Sequence, residues 1–299
     1  MNEAQVGRSV KCLSLQEWRP LRNQHKAEVR KWTEPCRQRR ACDESHPVHD
    51  FLFTYYSYPM GRLERWHAGL GYCYEFPESK GWEKVFAPRD YVWEEGIVHL
   101  REERLNEYRR QRLSWMLELL EATSNRAPHF GCYGLHEWAM VYRAKEIRHR
   151  ETSQLRLPQE QVDELVRSRK LCCTHFDAFR FFVPETQPMN HCQPSLESRQ
   201  DLEQPGCLHA NMDLYKWAYK ALPWIPSELV WRCFELALKG REIDMRASPY
   251  ELSAYGYEPI KIETPEGRVE YEKCQRELSA AASVLRLELI EALRLVIGW

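Results

Sequence analysis

The sequence feature that most constrains this chain is the apolar stripe Leu278, Ala282, Leu285, Leu289, Leu293 and Val296, which recurs every three or four residues near the C-terminal end. That spacing puts all six side chains on one face of an α-helix, and such a face must be buried against other elements. A second segment, Arg101 to Thr123, places Leu105, Tyr108, Leu113, Met116, Leu117 and Leu120 near helical spacing opposite a charged face. Further helices are predicted over 135–149, over 158–170 with Pro158 in the first turn, over 209–221, and over 226–240 with Gly240 as the stop. The run FLFTYYSY at 51–58 reads as a buried helix between Pro47 and Pro59. The pattern therefore predicts a mainly α, single-domain, bundle-like fold.

Strand signals are few. Tyr91-Val92-Trp93 and Ile97-Val98-His99-Leu100 flank Glu94-Glu95-Gly96 as a small hairpin, and a second hairpin is expected from Ile260–Thr264 and Arg268–Tyr271 about Pro265-Glu266-Gly267. Residues 1–45, rich in Arg, Lys, Glu and Gln, are expected to form one or two surface helices packing on a catalytic domain of residues 46–299. The stretch 189–206, rich in Pro, Ser, Gln and Asn, reads as a long loop that covers the mouth of a pocket.

Composition narrows the function. Lys and Arg number 43 against 44 Asp and Glu, a net charge of -1, so no global basic field draws in nucleic acid or an anionic membrane. No apolar run approaches the ~20 residues of a membrane span. Eleven cysteines are scattered without a C-x-x-C pair or a secretory signal, which predicts reduced thiols and a cytoplasmic protein. The 11 Trp, 15 Tyr and 10 Phe suit a dense core and a pocket for a flat ligand.

Chemistry is concentrated in histidine and carboxylate pairs. His46 and Asp50, like His209 and Asp213, stand four residues apart and share one face if their segments are helical. Antiparallel packing of two such helices would bring all four into a common site. Other pairs are His136 beside Glu137, Glu146 before His149, and His175 before Asp177. One reading is a metal centre holding Fe, Mn or Zn, with His46, Asp50, His136, His149, His209 and Asp213 as candidate ligands and a small molecule as substrate. The plainer reading is that each histidine bonds its own neighbouring carboxylate. In Thr174–Phe182, Phe179 is placed to stack on a ring, Asp177 to polarise water and Arg180 to anchor an anion. Asp244 to Tyr250 reads as a loop after a helix, where Arg246 either clamps a substrate or bridges to Asp244. The phosphate-binding P-loop, G-x-G-x-x-G, G-x-S-x-G and H-E-x-x-H signatures are absent.

The segments HPVHDFLFTYY at 46–56, FGCYGLHEWAMVYR at 130–143, THFDAFRFF at 174–182, EQPGCLHANMDLYKWA at 203–218, DMRASPYEL at 244–252 and IETPEGRVEY at 262–271 resemble a bacterial family that carries the name 3-methyladenine DNA glycosylase. The resemblance covers most of the chain after residue 45. It implies hydrolysis of the N-glycosidic bond of an alkylated purine in damaged DNA, without a cofactor, the base being flipped into an aromatic pocket. Under that reading Asp177 or Asp213 is the catalytic carboxylate, with His209 and His175 beside them. Trp138, Phe179 and Trp217 then stack on the base, and Arg180 and Arg246 bind substrate. The alternative is a helical non-haem metal-dependent oxygenase or hydrolase acting on a small molecule.

Overall fold

A computed structural model describes residues 10–144 and 154–299. Its short first strand, β1 (Lys11–Leu13), leads into α1 (Leu15–Ala41), which starts where Glu17 Oε2 accepts the Ser14 backbone N–H at 2.7 Å. Trp18, His25, Val29, Thr33 and Cys36 form the buried stripe of α1, and Trp18 Nε1 donates to Glu75 O at 3.0 Å. Helix α1 packs on the core by this stripe. Two short helices follow, α2 (Phe51–Tyr55) and α3 (Met60–Leu63). Strands β2 (Tyr72–Glu75), β3 (Tyr91–Glu94) and β4 (Ile97–Leu100) join β1 in a sheet of order β1-β2-β4-β3, with β1 parallel to β2 and the other pairs antiparallel. The β3–β4 hairpin is the expected one. Glu94 pairs with Ile97 across a two-residue turn, Glu95 and Gly96, both at positive φ, a backbone that Gly96 adopts without strain.

The remaining helices are α4 (Glu107–Ser124), α5 (Leu135–Met140), α6 (Gln159–Ser168), α7 (Phe176–Phe179), α8 (Arg199–Leu202), α9 (Leu208–Lys220), α10 (Ser227–Ala247) and α11 (Pro265–Gly298). Helix α9 is buried along nearly its whole length against α10 and α11, which also pack on each other, and α4 packs on α11. The apolar stripe of the C-terminal helix is buried as its periodicity requires. No described helix is long and apolar enough to cross a membrane, and all eleven cysteines are free.

Three expectations are corrected. The second hairpin does not form: Ile260 and Ile262 are buried, but Ile262 N–H donates back to Ile260 O at 2.9 Å in a turn, and Thr264 Oγ1 accepts the Gly267 backbone N–H at 3.0 Å and starts α11 with Pro265 in its first turn. Proline has no N–H for a strand ladder but suits a helix start, and the threonine cap completes that signal. Gly240 does not end α10, which runs on to Ala247. Its lack of a side chain instead allows α9 to approach, since a Cβ there would lie 2.6 Å from Met212 Cγ. Asp244 and Arg246 therefore lie on α10, not in a loop, and do not bridge: Arg246 donates to Glu258 O and pairs with Glu270.

Candidate functional site

Helix α9 presents His209, Asp213 and Lys216 from successive turns; His209 meets α5 and α10, while Asp213 and Lys216 share the start of α7. His209 faces His136 from α5 and Asp244 from α10: His136 Nε2 lies 2.7 Å from Asp244 Oδ1, His209 Nε2 lies 3.8 Å from Asp244 Oδ2, and the His136 and His209 rings are 4.5 Å apart. Arg241, one turn before Asp244, bridges Asp244 Oδ2 at 3.2 Å and Glu137 Oε1 at 3.3 Å. One turn along α9, Asp213 accepts from Tyr56 Oη at 3.1 Å, from Lys216 Nζ, and lies 3.1 Å from His175 Nε2. Lys216 also donates to Asp177 at 2.9 Å, Arg199 binds Asp177, and Glu203 Oε1 stands 3.6 Å from His175. His175 and His209 stack at 5.6 Å and connect the two groups.

Burial and charge set the protonation states. Burial opposes ionisation of Asp213, but Lys216 and His175 outweigh it and hold its carboxyl well below the ordinary range. Asp244 is likewise held down against burial by His136, and Asp244 in turn keeps the His136 imidazole protonated well above its ordinary value. Burial pushes His209 down to about 3, helped by the neighbouring His136, so its ring is neutral. Burial also acts on Asp177, and Lys216 overrides it, keeping the carboxylate ionised.

A cavity of about 220 Å³ opens beside this network. Phe51, Tyr55, Phe181 and Tyr250 supply aromatic faces, while Asp177, Glu137 and His209 reach its wall. An apolar cavity with a few converging polar groups is the usual form of a small-molecule site. Wider clefts exist elsewhere, including one of about 530 Å³ at the end of α11 lined by Trp224, Leu229, Leu295 and Trp299, but neither histidine nor aspartate faces it.

The four expected catalytic residues, Asp177, Asp213, His209 and His175, therefore converge. Asp213 and His175 stand behind the cavity and Asp177 and His209 in its wall. Arg180 does not line the cavity; it lies 3.7 Å from Asp177 and is half exposed over Phe181, which does. Other expectations fail. Trp138 is fully buried and donates to Ala247 O at 2.9 Å, so it fastens α5 to the end of α10. Phe179 packs on Phe182 in the core, and Trp217 is enclosed by Lys216, Lys220, Arg199 and Trp115; neither lines the cavity. Arg246 is on another face of α10. His46 and Asp50 do not join His209 and Asp213: they form a turn in which Asp50 accepts the His46 backbone N–H at 3.0 Å and pairs with Arg39, while His46 stacks on His49 at 4.0 Å. A turn has no common helical face to present. Glu146 and His149 lie outside the described residues.

The stretch 189–206 does not cover the cavity mouth. It contains α8, from which Arg199 and Glu203 insert behind Asp177 and His175, both buried. Lys216, Glu203, Asp244, Arg199 and Tyr56 were not legible as partners of this site. The available signals were local charge spacings: Asp213/Lys216 and Arg241/Asp244 at i,i+3, and Arg199/Glu203 at i,i+4. Comparison with protein-family models, curated proteins and solved structures finds no match.

Proposed function

We propose that the chain hydrolyses the N-glycosidic bond of an alkylated purine of the 3-methyladenine type in damaged DNA, the base being held among Phe51, Tyr55, Phe181 and Tyr250. The observation that carries this reading is an ionised carboxylate, Asp177, in the wall of a cavity whose other faces are aromatic. A flat cationic base is stabilised by stacking on aromatic faces, through both apolar contact and the ring quadrupoles. As the bond from the sugar carbon to the purine nitrogen breaks, its electron pair neutralises the base and leaves positive charge on the sugar. Asp177 is placed to stabilise that charge and to take the proton of the water that adds to the sugar carbon. Arg180, half exposed beside Asp177, suits a backbone phosphate. The resemblance of the sequence to the glycosylase-named family supports the same substrate class.

The test is release of free methylated purine from alkylated duplex DNA, measured by chromatography. The wild-type protein should release it and leave undamaged DNA intact, and Asp177→Asn should slow release by ~10²-fold or more. Failure of the wild-type protein to release any methylated base would sink the proposal.

A further inference from the structure

We propose that His136, His209 and Asp244 hold one divalent transition-metal ion, of the Fe(II), Mn(II) or Zn(II) class, against the inner wall of the aromatic cavity. The inference goes beyond the reaction proposed above and does not depend on it. The three side chains come from α5, α9 and α10, and their ligand atoms lie within 4.8 Å of one another. In a mononuclear site with bonds of ~2.0–2.2 Å to imidazole nitrogen and carboxylate oxygen, neighbouring ligand atoms stand ~3 Å apart. The observed 2.7 Å from His136 Nε2 to Asp244 Oδ1 and 3.8 Å from His209 Nε2 to Asp244 Oδ2 are of that order, and the ion takes the place of the proton between His136 Nε2 and Asp244, which is released to solvent.

Three further features favour an ion here over a plain ion pair. The His136–Asp244 contact alone would explain those two residues, but the His209 ring makes no hydrogen bond among the described residues, although only 11% of its side chain is exposed. The ligands have supports of the kind that orient a metal site: Cys132 Sγ is 3.5 Å from His136 Nδ1, and Arg241 holds the second oxygen of Asp244. His209 also lines the cavity, so the open positions of a two-histidine, one-carboxylate centre would face a bound ligand. The neighbouring group His175, Glu203 and Asp213 is equally compact, but there the Lys216 ammonium sits on Asp213 Oδ2, the same oxygen that faces His175, whereas Arg241 holds Asp244 Oδ2 and leaves Oδ1 to His136.

The full chain, stripped with a chelator, is titrated with Co(II) chloride, whose visible d–d absorption reports coordination by nitrogen and oxygen. A saturable band at about one Co(II) per chain, displaced by Zn(II), together with a rise in Tm on adding Zn(II), is the expected result. His209→Gln and Asp244→Asn should each weaken Co(II) binding at least ~100-fold. Asp244 also partners His136 and Arg241, so where Asp244→Asn fails to fold, His209→Gln decides, since it removes no hydrogen bond. Three results would each overturn the assignment: no saturable band, unchanged binding by His209→Gln, or binding lost in His175→Gln but kept in His209→Gln. Metal binding without base release leaves this site standing, and base release without metal binding leaves the other.

Discussion

Replacing Lys216 with methionine isolates the ion network behind the cavity. The ammonium donates to Asp177 at 2.9 Å and also to Asp213, and only 10% of the lysine side chain and 1% of the Asp213 side chain are exposed. At ~3 Å and an effective dielectric of ~20, each pair is attracted by ~5 kcal/mol before desolvation is subtracted. Removing one partner of a buried pair costs about 3–5 kcal/mol, because the other charge stays buried and uncompensated. His175 and Arg199 still face the two carboxylates, so the lower end applies. Lys216→Met should therefore lose ~3 kcal/mol of unfolding free energy at pH 7, measured by urea denaturation with an unchanged m value. In the wild-type protein the Asp213 pKa is depressed, so its stabilisation is present above the ordinary carboxylate pKa and fades as pH falls through the folded value. Without the ammonium that pKa rises, Asp213 takes up a proton sooner, and the deficit should narrow as the pH is lowered from 7 towards 4. Adding Asp213→Leu to Lys216→Met should restore about half of the loss or more, since an apolar pair replaces an orphaned charge. A loss below ~1 kcal/mol for the single variant, or a double variant no more stable than it, would refute the reasoning.

Three further outcomes are expected. Gly240→Ala puts a methyl 2.6 Å from Met212 Cγ, and forcing α9 off α10 should cost ~1–3 kcal/mol in chemical denaturation; an unchanged midpoint would mean that Met212 simply swings aside. Thr264→Ala removes the acceptor for the Gly267 N–H and should lower stability by ~1 kcal/mol, which Thr264→Ser should largely avoid, so equal losses in both would discount the cap. Burial pushes His67 down to about 3, so between pH 6.5 and that value the unfolded chain binds a proton the folded chain refuses, and stability falls as pH falls. From pH 6.5 to pH 5 this residue should account for ~2 kcal/mol of the loss, and a His67→Phe variant with the same pH slope as wild type would contradict it.

The long helices were legible because periodicity is a local property. The spacing of Leu278 to Val296 compels one buried face whatever that face meets, and the β3–β4 turn is fixed by Glu95-Gly96 alone. Spacing also placed His209 and Asp213 on one face of α9, and the aromatic segment around His175 and Asp177 was recognisable as chemistry. Spacing does not say what lies opposite. His209 and Asp213 are on adjacent turns of one helix, yet one meets His136 and Asp244 while the other meets His175 and Tyr56, because different segments approach α9 at the two turns. His46 and Asp50 carry the same spacing and go elsewhere, since their segment is a turn secured to Arg39. Ile260 and Ile262 alternate with Lys261 as a strand does, but the Thr264 cap and Pro265 act on the residues that follow and start a helix there. Apart from the i,i+3 pairs Asp213/Lys216 and Arg241/Asp244, the partners are separated by tens to more than a hundred residues of chain, as in His136 with Asp244 and Tyr56 with Asp213. Local sequence therefore determined which side chains share a face, and tertiary packing alone decided which charges each face must neutralise.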